Sequence, residues 1–404
     1  MNKIELPRSV SFIISSLNDA GYEAYIVGGC VRDYLLGKQP KDWDITTSAL
    51  PEDVKRVFSH TYDTGIEHGT VTVLIDKVGY EVTTYRIDGE YKDNRHPESV
   101  IFTSKLTGDL ARRDFTMNAI AYNDSEGFVD MFNGMEDLRM GIIRAVREPS
   151  ERFQEDALRM MRALRFSAQL GFEIEEKTKR AICENASLIK NISMERIRDE
   201  LIKLILSDNP LNIYEVKAEG LMDCFMPELS SVLDNQRNEI TACLEMTAAD
   251  RVKRLSLLMH SLPAPEQEKL LRRLRLDNKT VKDVITLSRY MNVKPNPTPY
   301  EIRKLISETS VSMADDVIYM WSVLGYKEES AVAHRILERV TADGDCCSMA
   351  QLAISGEDLI KEGIPVGKQL GDILRASLDE VLRQPKHNSR EYLIDKAVKM
   401  MGGN

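Results

Sequence analysis

Two aspartates separated by one residue, Asp42 and Asp44, have the residue types and spacing in this sequence that most directly suggest chemistry. A β run predicted around them places both carboxylates on one face. Carboxylate oxygens are the ligands that Mg²⁺ prefers, and this ion keeps positions for water or substrate oxygens. A third acid, Glu81, lies on a β run expected to be a neighbour. The sequence predicts a phosphoryl-transfer site with Asp42, Asp44 and Glu81 as catalytic residues and the two aspartates as Mg²⁺ ligands.

A pair of glycines lies a dozen residues before the aspartates. Gly28 and Gly29 follow the β run Ala24–Val27, and a short helix that carries Arg32 is predicted to begin near Cys30. Glycine lets the backbone approach a ligand closely, and the free N–H groups of a helix start favour a phosphate. Arginine adds a charged fork for the same anion. We therefore expect Gly28, Gly29 and Arg32 to bind nucleotide, whereas the missing GxGxxG motif disfavours a dinucleotide site.

The elements that must position these residues change in character near Arg147–Ser150. Before this point, Gly and Pro separate short β and helical runs, as in a mixed α/β domain. The β runs are Ala24–Val27, Trp43–Thr46, Gly69–Ile75, Tyr80–Tyr85 and Ala119–Tyr122. After it, apolar residues recur at spacings of three and four, as in the stripe Phe153, Ala157, Met161. The sequence predicts an α+β fold in which a small mixed-sheet head precedes an all-helical remainder.

Several segments together resemble one enzyme family. GG-x-VRD and D-W-D, at the spacing found here, resemble the nucleotidyltransferase superfamily that includes DNA polymerase β. Later segments are similar to its class II branch, which contains bacterial and eukaryotic CCA-adding enzymes and bacterial poly(A) polymerases. In chain order they are Arg112–Asn118, Phe128–Leu138, Glu155–Arg159 and Met194–Leu201. The resemblance is dense through the first half of the chain and looser beyond it, where Leu270–Val281 matches best.

This resemblance implies an architecture and a reaction. It implies a polymerase-β-like head at residues 1–148, a base-selecting neck at 149–210, a helical body at 211–310 and a tRNA-binding tail at 311–404. The implied reaction is template-independent addition or repair of the 3′-terminal CCA of tRNA from CTP and ATP, with release of pyrophosphate. Arg113 falls in the family's sugar- and triphosphate-binding motif. Recognition of the acceptor stem and T arm by phosphate and shape is expected of the body and tail.

A charged constellation on the helix predicted to begin near Phe153 fits such a reaction. Asp156 and Arg159 are three residues apart, and Arg162 and Arg165 follow at the same interval. A solvated face with local ion pairs is the alternative. Arginine offers only donors and aspartate only acceptors, which suits the edges of cytosine and adenine but not those of guanine and uracil. We predict that Asp156 and Arg159 select the base, and that Arg162 and Arg165 bind the triphosphate.

Alternatives remain open within and outside the family. Thr64–Val73 looks like the CCA-adding version of a segment that is basic in the poly(A) polymerases. Arg86–Pro97 resembles a flexible loop that CC-adding enzymes lack, which favours full CCA addition. An A-adding enzyme would retain this loop and stays possible on sequence. A metal-dependent sugar-nucleotide transferase and a non-catalytic RNA-binding module are remote alternatives.

Composition bears on partners and location. The net charge of −10 argues against a general nucleic-acid binder, although local basic patches attract phosphate. Modest basic clusters occur at Leu270–Arg275, Lys386–Arg390 and Lys396–Lys399. The six cysteines show no metal-site spacing, and no apolar run is long enough to cross a bilayer, so we expect a cytoplasmic protein with reduced thiols and no membrane partner. The sequence leaves monomer and homodimer open.

Overall fold

The chain folds into two compact units, Met1–Ser231 and Val232–Asn404. The computed structural model describes residues 3–88 and 100–402. Within these residues the strands lie in the first unit and the second unit is helical. The predicted α+β class, with a mixed sheet ahead of the helices, is confirmed. The predicted segments 1–148 and 149–210 both fall inside the first unit, and the four-part division stays a prediction.

Short strands of the first unit form a mixed sheet and two small ladders. In chain order the strands are β1 (Ala24–Val27), β2 (Ile45–Thr47), β3 (Thr61–Gly65), β4 (Thr70–Ile75), β5 (Val78–Thr84), β6 (Arg86–Asp88), β7 (Val100–Phe102), β8 (Ile120–Asn123), β9 (Gly127–Asp130), β10 (Ile142–Ile143) and β11 (Glu173–Ile174). Among the described residues, a seven-stranded sheet has the order β3-β4-β5-β2-β1-β8-β9. In the ladders, β6 pairs with β7 and β10 pairs with β11.

The two central strands of the sheet, β1 and β2, bring the candidate residues to one edge. Every residue of both strands is buried, which explains why β1 reads as a continuous apolar run. β1 pairs antiparallel with β2 and β8, and β2 pairs parallel with β5. Because β1 and β2 are antiparallel, the end of β1 and the start of β2 lie at the same edge. Gly28 and Asp44 are the residues next to these ends.

Helices cover the sheet and continue through the rest of the first unit. They are α1 (Arg8–Asp19), α2 (Gly29–Leu35), α3 (Pro51–Val57), α4 (Leu106–Ala111), α5 (Gly134–Met140), α6 (Pro149–Glu155), α7 (Leu158–Leu170), α8 (Glu176–Asn185), α9 (Met194–Ile205), α10 (Ile213–Ala218), α11 (Leu221–Phe225) and α12 (Pro227–Asn235). The end of α12 reaches past the first unit in sequence. The predicted stripe of Phe153, Ala157 and Met161 is fully buried, which confirms the apolar face.

The remaining helices belong to the second unit. They are α13 (Arg237–Met246), α14 (Arg251–Met259), α15 (Ala264–Arg273), α16 (Asn278–Met291), α17 (Pro299–Glu308), α18 (Val311–Val323), α19 (Lys327–Ala342), α20 (Gly356–Lys361), α21 (Lys368–Arg383) and α22 (Arg390–Gly402). Near the end of α21, Glu380 accepts hydrogen bonds from His387, Tyr392 and Lys396. Along the described chain, no helix combines the length and the apolar character that a membrane span requires.

Two local expectations are wrong. The helix predicted to begin near Phe153 is interrupted, because Asp156 adopts an extended conformation (φ −137°, ψ 101°) between α6 and α7. Its carboxylate accepts a hydrogen bond from the N–H of Leu158 (3.1 Å), which stabilises the start of α7. The strand predicted to hold Asp42 and Asp44 begins only at Ile45. The aspartates lie on the segment that enters it.

Candidate active site

The acidic pair lies at the open edge of the sheet, just before β2. The carbonyl of Asp44 accepts a hydrogen bond from the N–H of Val27 (3.0 Å), so its backbone is held against β1 even outside the strand. Ile45 of β2 pairs with Val82 of β5 in parallel register. Asp44 and Glu81 are the residues immediately before these two, so they are also neighbours. The side chains of Asp42, Asp44 and Glu81 are all exposed. The fold therefore brings the three predicted acids to one region of the sheet edge.

The side chain of Asp44 reaches solvent, but nearby protein partly desolvates its carboxyl group. This desolvation raises its pKa above the usual value, and the negative charge of Asp42 adds to the rise. The positive charge of Arg113 acts in the opposite direction. A nearby cation would stabilise the ionised form of this carboxyl group.

Most acids around the site are already paired, whereas the carboxylates of Asp42, Asp44 and Glu81 have no hydrogen-bond or ion-pair partner among the described residues. The acids that make an ion pair with an arginine are Asp33, Asp109, Asp114, Glu155, Asp156 and Glu200. No described residue makes a hydrogen bond or an ion pair with the carboxylates of Asp42 and Asp44. Two unpaired carboxylates are a donor set that fits Mg²⁺, which takes oxygen ligands and retains water or substrate oxygens.

Glu81 does not complete a three-acid metal cluster. Among the described residues, no group of three or more His, Cys, Asp or Glu side chains is close enough together to hold a metal ion. Within residues 3–88 and 100–402, an ion bound by Asp42 and Asp44 therefore has no third acid, histidine or cysteine as a ligand. The catalytic role of Glu81 stays a prediction.

The turn between β1 and α2 has a glycine for a specific steric reason. Gly28 has φ +81°, and a Cβ placed on it would lie 2.9 Å from Nη1 of Arg113. The sequence predicts close approach of a ligand to this backbone, and the structure shows close approach of an arginine. The guanidinium of Arg113 thus lies across the start of α2, where a helix N-terminus also favours an anion.

A buried carboxylate, Asp109 on α4, holds the double-arginine segment. Its Oδ1 accepts from Nε and Nη2 of Arg112 (3.0 and 2.7 Å), and its Oδ2 accepts from Nη2 of Arg113 (3.2 Å). Thr46, two residues after Asp44, also donates to Oδ2 (3.4 Å). Burial alone would raise the pKa of Asp109, but the two arginines hold it below its usual value. Asp109 is therefore charged and ties Arg113 to β2.

A second chain of polar contacts joins α2 to α7. Nη1 of Arg32 donates to Oδ1 of Asn118 (2.9 Å), and Nδ2 of Asn118 donates to Oδ1 of Asp114 (3.0 Å). Nε of Arg162 donates to Oδ2 of the same carboxylate (2.8 Å). Burial opposes ionisation of Asp114, but Arg162 and Asn118 hold its pKa well below the usual range. Two predicted phosphate ligands, Arg32 and Arg162, are thus linked through one charged carboxylate.

The predicted base-selecting residues are neighbours that are each held by another partner. Asp156 accepts from Nη2 and Nη1 of Arg196 on α9 (2.8 and 3.3 Å). Arg159 donates through Nη1 to Glu155 (2.8 Å) and to the carbonyl of Arg152 (3.2 Å). Nη2 of Arg159 donates to the carbonyl of Arg112 (2.9 Å). These contacts use three of the five N–H donors of Arg159 and leave two for a ligand.

Arg165, the last of the predicted triphosphate ligands, lies deeper than Arg162. Its side chain is 8% exposed, against 33% for Arg162. Nε of Arg165 donates to the buried carboxylate of Glu200 (2.8 Å), and Nη1 donates to Gln169 (3.0 Å). The fold brings Arg165 to the same cluster as Arg32 and Arg162, and its triphosphate-binding role stays a prediction.

Comparison with known proteins decides the family. Residues 24–144 match the poly A polymerase head domain, residues 171–233 the probable RNA and SrmB-binding site of polymerase A, and residues 250–397 the putative tRNA nucleotidyltransferase domain 2. A CCA-adding enzyme of Lactobacillus helveticus is 38% identical over 385 residues, which cover 94% of each chain. The chain belongs to the family of CCA-adding enzymes. Another member, from Geobacillus stearothermophilus, is 39% identical over 371 residues, covering 92% of this chain and 90% of that one.

A solved CCA-adding enzyme has the same fold. The crystal structure of the Bacillus stearothermophilus CCA-adding enzyme in complex with CTP matches with a TM-score of 0.85 and 34% identity, covering 99% of this chain and 100% of that one. Membership of this family makes the chain a tRNA nucleotidyltransferase and confirms the predicted resemblance and enzyme class. The sugar-nucleotide transferase and the non-catalytic RNA-binding module are thereby set aside.

Sequence reasoning about this CCA-adding family member missed the residues that hold the predicted ones in place. Asp109 was detectable, since an acid three and four residues before a pair of arginines is a helical ion-pair pattern. Asn118 lies inside a recognised motif but was given no role. Arg196 and Glu200 lie on α9, distant in sequence from Asp156 and Arg165, and no local pattern indicates their partners.

Two further predictions concern segments outside this cluster. Of the predicted loop Arg86–Pro97, residues 86–88 form β6 and residues 89–97 lie outside the described residues. In the predicted basic clusters, several cations have acidic partners. The pairs are Arg272–Glu268, Arg390–Asp358, Lys396–Glu380 and Lys399–Asp395. An RNA-binding role for these clusters stays a prediction.

Proposed function

We propose that this CCA-adding family member builds the complete CCA end of tRNA from CTP and ATP at the edge of β1 and β2. The observation that carries the site assignment is the unpaired state of Asp42 and Asp44, in a region where Asp33, Asp109 and Asp114 each have an arginine partner. These two carboxylates would hold Mg²⁺, which when bound offsets negative charge on the attacking and leaving oxygens of phosphoryl transfer.

In the proposed reaction, the 3′ hydroxyl oxygen of tRNA forms a bond to the α-phosphorus of the nucleotide, and the hydroxyl proton passes to solvent water. The bond from the α-phosphorus to the bridging oxygen breaks, and pyrophosphate leaves with the electron pair. Arg113, fixed by Asp109 across the start of α2, faces this region together with Gly28 and Gly29. Arg32 and Arg162 hold the other phosphates, since in-plane N–H donors of arginine match phosphate oxygens. Arg165 supports these arginines from the buried side.

Base selection is proposed for Asp156 and Arg159. Arg159 retains two N–H donors for the ring nitrogen acceptor that cytosine and adenine share. Asp156 retains acceptor capacity, because Arg196 and the N–H of Leu158 occupy three of about four lone-pair sites on its two oxygens. Uracil and guanine present the opposite pattern and would leave buried polar groups unpaired, which is strongly unfavourable.

Complete CCA addition, rather than CC or A addition, is proposed from the loop resemblance at Arg86–Pro97. The tRNA acceptor stem and T arm, Mg²⁺ as the specific ion, and a cytoplasmic location are parts of the same proposal. A direct test uses tRNA that lacks its last three nucleotides, incubated with each nucleotide alone and with all four. Sequencing of the products is expected to show CC with CTP alone and CCA with CTP and ATP. A product ending at CC in the presence of ATP would contradict complete addition.

The metal assignment has its own test. Asp44→Asn and Asp42→Asn are each expected to abolish incorporation while CTP binding persists, because the base and phosphate contacts remain. Asp63→Asn is a matched control in the same unit, since Asp63 is an exposed acid paired with Lys55 (2.8 Å). Incorporation at the normal rate by Asp44→Asn, under the same Mg²⁺ concentration, would refute the assignment.

A further inference from the structure

One aromatic ring, that of Phe166 on α7, lies among three of the arginines of the site. The guanidinium carbon of Arg165 is 3.5 Å from the ring centroid, that of Arg32 is 4.9 Å away and that of Arg162 is 5.5 Å away. Arg32 belongs to α2, and the other two belong to α7. Significant cation–π pairs occur roughly once per 70–80 residues, so three on one ring is a concentration that calls for a physical reason.

The ring is fixed on its other side by the double-arginine segment. Phe166 is buried and meets Phe115 edge to face, with centroids 5.9 Å apart and planes at 87°. Phe115 is fully buried, and its N–H donates to Oδ1 of Asp114 (2.8 Å). The same carboxylate binds Arg162. Phe166 is therefore part of the arrangement that holds the arginines and does not pack independently of it.

The arginines around this ring need stabilisation that does not use their donors. Three converging guanidinium groups repel one another, and each has one carboxylate partner: Asp33, Asp114 and Glu200. Burial lowers the pKa of Arg165, and the like charge of Arg162 adds to this effect against the attraction of Glu200. A carboxylate occupies N–H donors in the guanidinium plane. An aromatic face stabilises the cation from above and leaves those donors available.

We infer that Phe166 is a positioning residue for the nucleotide triphosphate. Its π face holds the Arg32, Arg162 and Arg165 array together while the in-plane N–H donors of the accessible arginines stay available to phosphate oxygens. The inference rests on the proposed phosphate-binding role of these arginines. Because the effect acts through phosphate and not through the base, it applies equally to CTP, ATP and pyrophosphate and leaves base selection unchanged.

The test weakens the π face while nearly preserving the shape of the side chain. Phe166 is replaced in the full-length protein by 4-fluorophenylalanine and by 3,4,5-trifluorophenylalanine, since fluorine withdraws electron density from the ring face. Calorimetry with Mg²⁺ present gives Kd for pyrophosphate, CTP and ATP. The trifluoro variant is expected to raise all three Kd values in parallel by about tenfold, with the monofluoro variant in between. The preference for CTP and ATP over UTP and GTP is expected to stay constant.

Two further variants separate the possible failures. Phe172 is the matched control, because no arginine or lysine among the described residues lies over its ring, and its fluorination is expected to leave Kd unchanged. Arg162→Ala is expected to raise Kd for pyrophosphate. If it does so while fluorination of Phe166 alters only the melting temperature, Phe166 is a packing residue and the inference is overturned. If Arg162→Ala leaves Kd unaltered, the proposed phosphate contact fails and the inference fails with it.

Discussion

Removal of Arg196 should weaken base selection, although Arg196 itself is not proposed to touch the base. In the structure this side chain donates two hydrogen bonds to Asp156 (2.8 and 3.3 Å), and the two side chains are 30% and 18% exposed. A hydrogen bond between charged groups contributes about 1.5–3 kcal/mol when buried. Partial exposure reduces this, so we take about 1–2 kcal/mol for the pair. Such a loss corresponds to roughly 5–30-fold in an equilibrium constant.

For Arg196→Ala we therefore expect kcat/KM for CTP and ATP to fall by about 5–30-fold. The relative use of UTP and GTP should rise, because a loosely held Asp156 enforces its acceptor pattern less strictly. Arg196→Lys keeps the charge but loses the two-point contact, and is expected to lie between wild type and alanine. The assay is single-nucleotide incorporation into tRNA that ends with one or with two of the terminal cytidines, with each of the four nucleotides supplied separately.

The control for this prediction is Arg198→Ala on the same helix. Arg198 forms an ion pair with its neighbour Asp199 (2.8 Å), so its loss should leave the position of Asp156 and nucleotide preference unchanged. Melting temperatures of both variants should show that the fold is retained. An Arg196→Ala enzyme that keeps wild-type kcat/KM and wild-type discrimination would refute the idea that Arg196 holds the base-selecting acid.

Two other predictions concern the turn at β1 and the second unit. Gly28→Ala should raise KM for both nucleotides, because the added Cβ would lie 2.9 Å from Arg113. Gly21 has a similar φ of +88°, but an added Cβ there would have nothing within 4 Å, so Gly21→Ala should leave KM unchanged. Equal KM changes in the two variants would show that backbone strain alone is responsible. Glu380→Gln should destabilise the protein by about 1–2 kcal/mol near neutral pH. The lysine, histidine and tyrosine partners of Glu380 lower the pKa of this carboxyl group to about 2 in the folded protein. The ionised carboxylate therefore stabilises the fold fully at pH values above the pKa it has in the unfolded chain, and this stabilisation is lost as the pH falls toward 2. Thermal unfolding should therefore show a difference from wild type that shrinks between pH 5 and 2, and a difference constant with pH would contradict this.

The elements that could be predicted from sequence are those whose signal is local. The apolar run Ala24–Val27 corresponds to β1 residue for residue, and the helix predicted to begin near Cys30 is α2, which begins one residue earlier at Gly29. The helical stripe through Met161 is buried as expected. Both features depend on neighbours within one turn or one strand, where periodicity and backbone preference act directly.

The errors arise where a side chain overrides local preference. The sequence around Asp156 predicts one amphipathic helix. The carboxylate of Asp156 instead accepts a hydrogen bond from the N–H of Leu158, so one helix ends and the next begins at this residue. The residues that support the site could not be predicted either, since Glu200 binds Arg165 across 35 residues of chain and Arg196 binds Asp156 across 40. Such pairings depend on helix packing, which no sequence period encodes.

The buried carboxylate of Asp109 has a consequence for redesign of nucleotide preference. Through Thr46, Arg113 and Arg112 it connects the strand after the acidic pair, the guanidinium that we propose to face phosphate, and the segment whose carbonyl holds Arg159. An engineered change at the proposed base-selecting residues that shifts Arg159 would also move the backbone that aligns Arg113. A variant with altered specificity would then also catalyse the reaction more slowly. Libraries that vary residues 149–210 alone are expected to give poor catalysts unless α4 is varied as well.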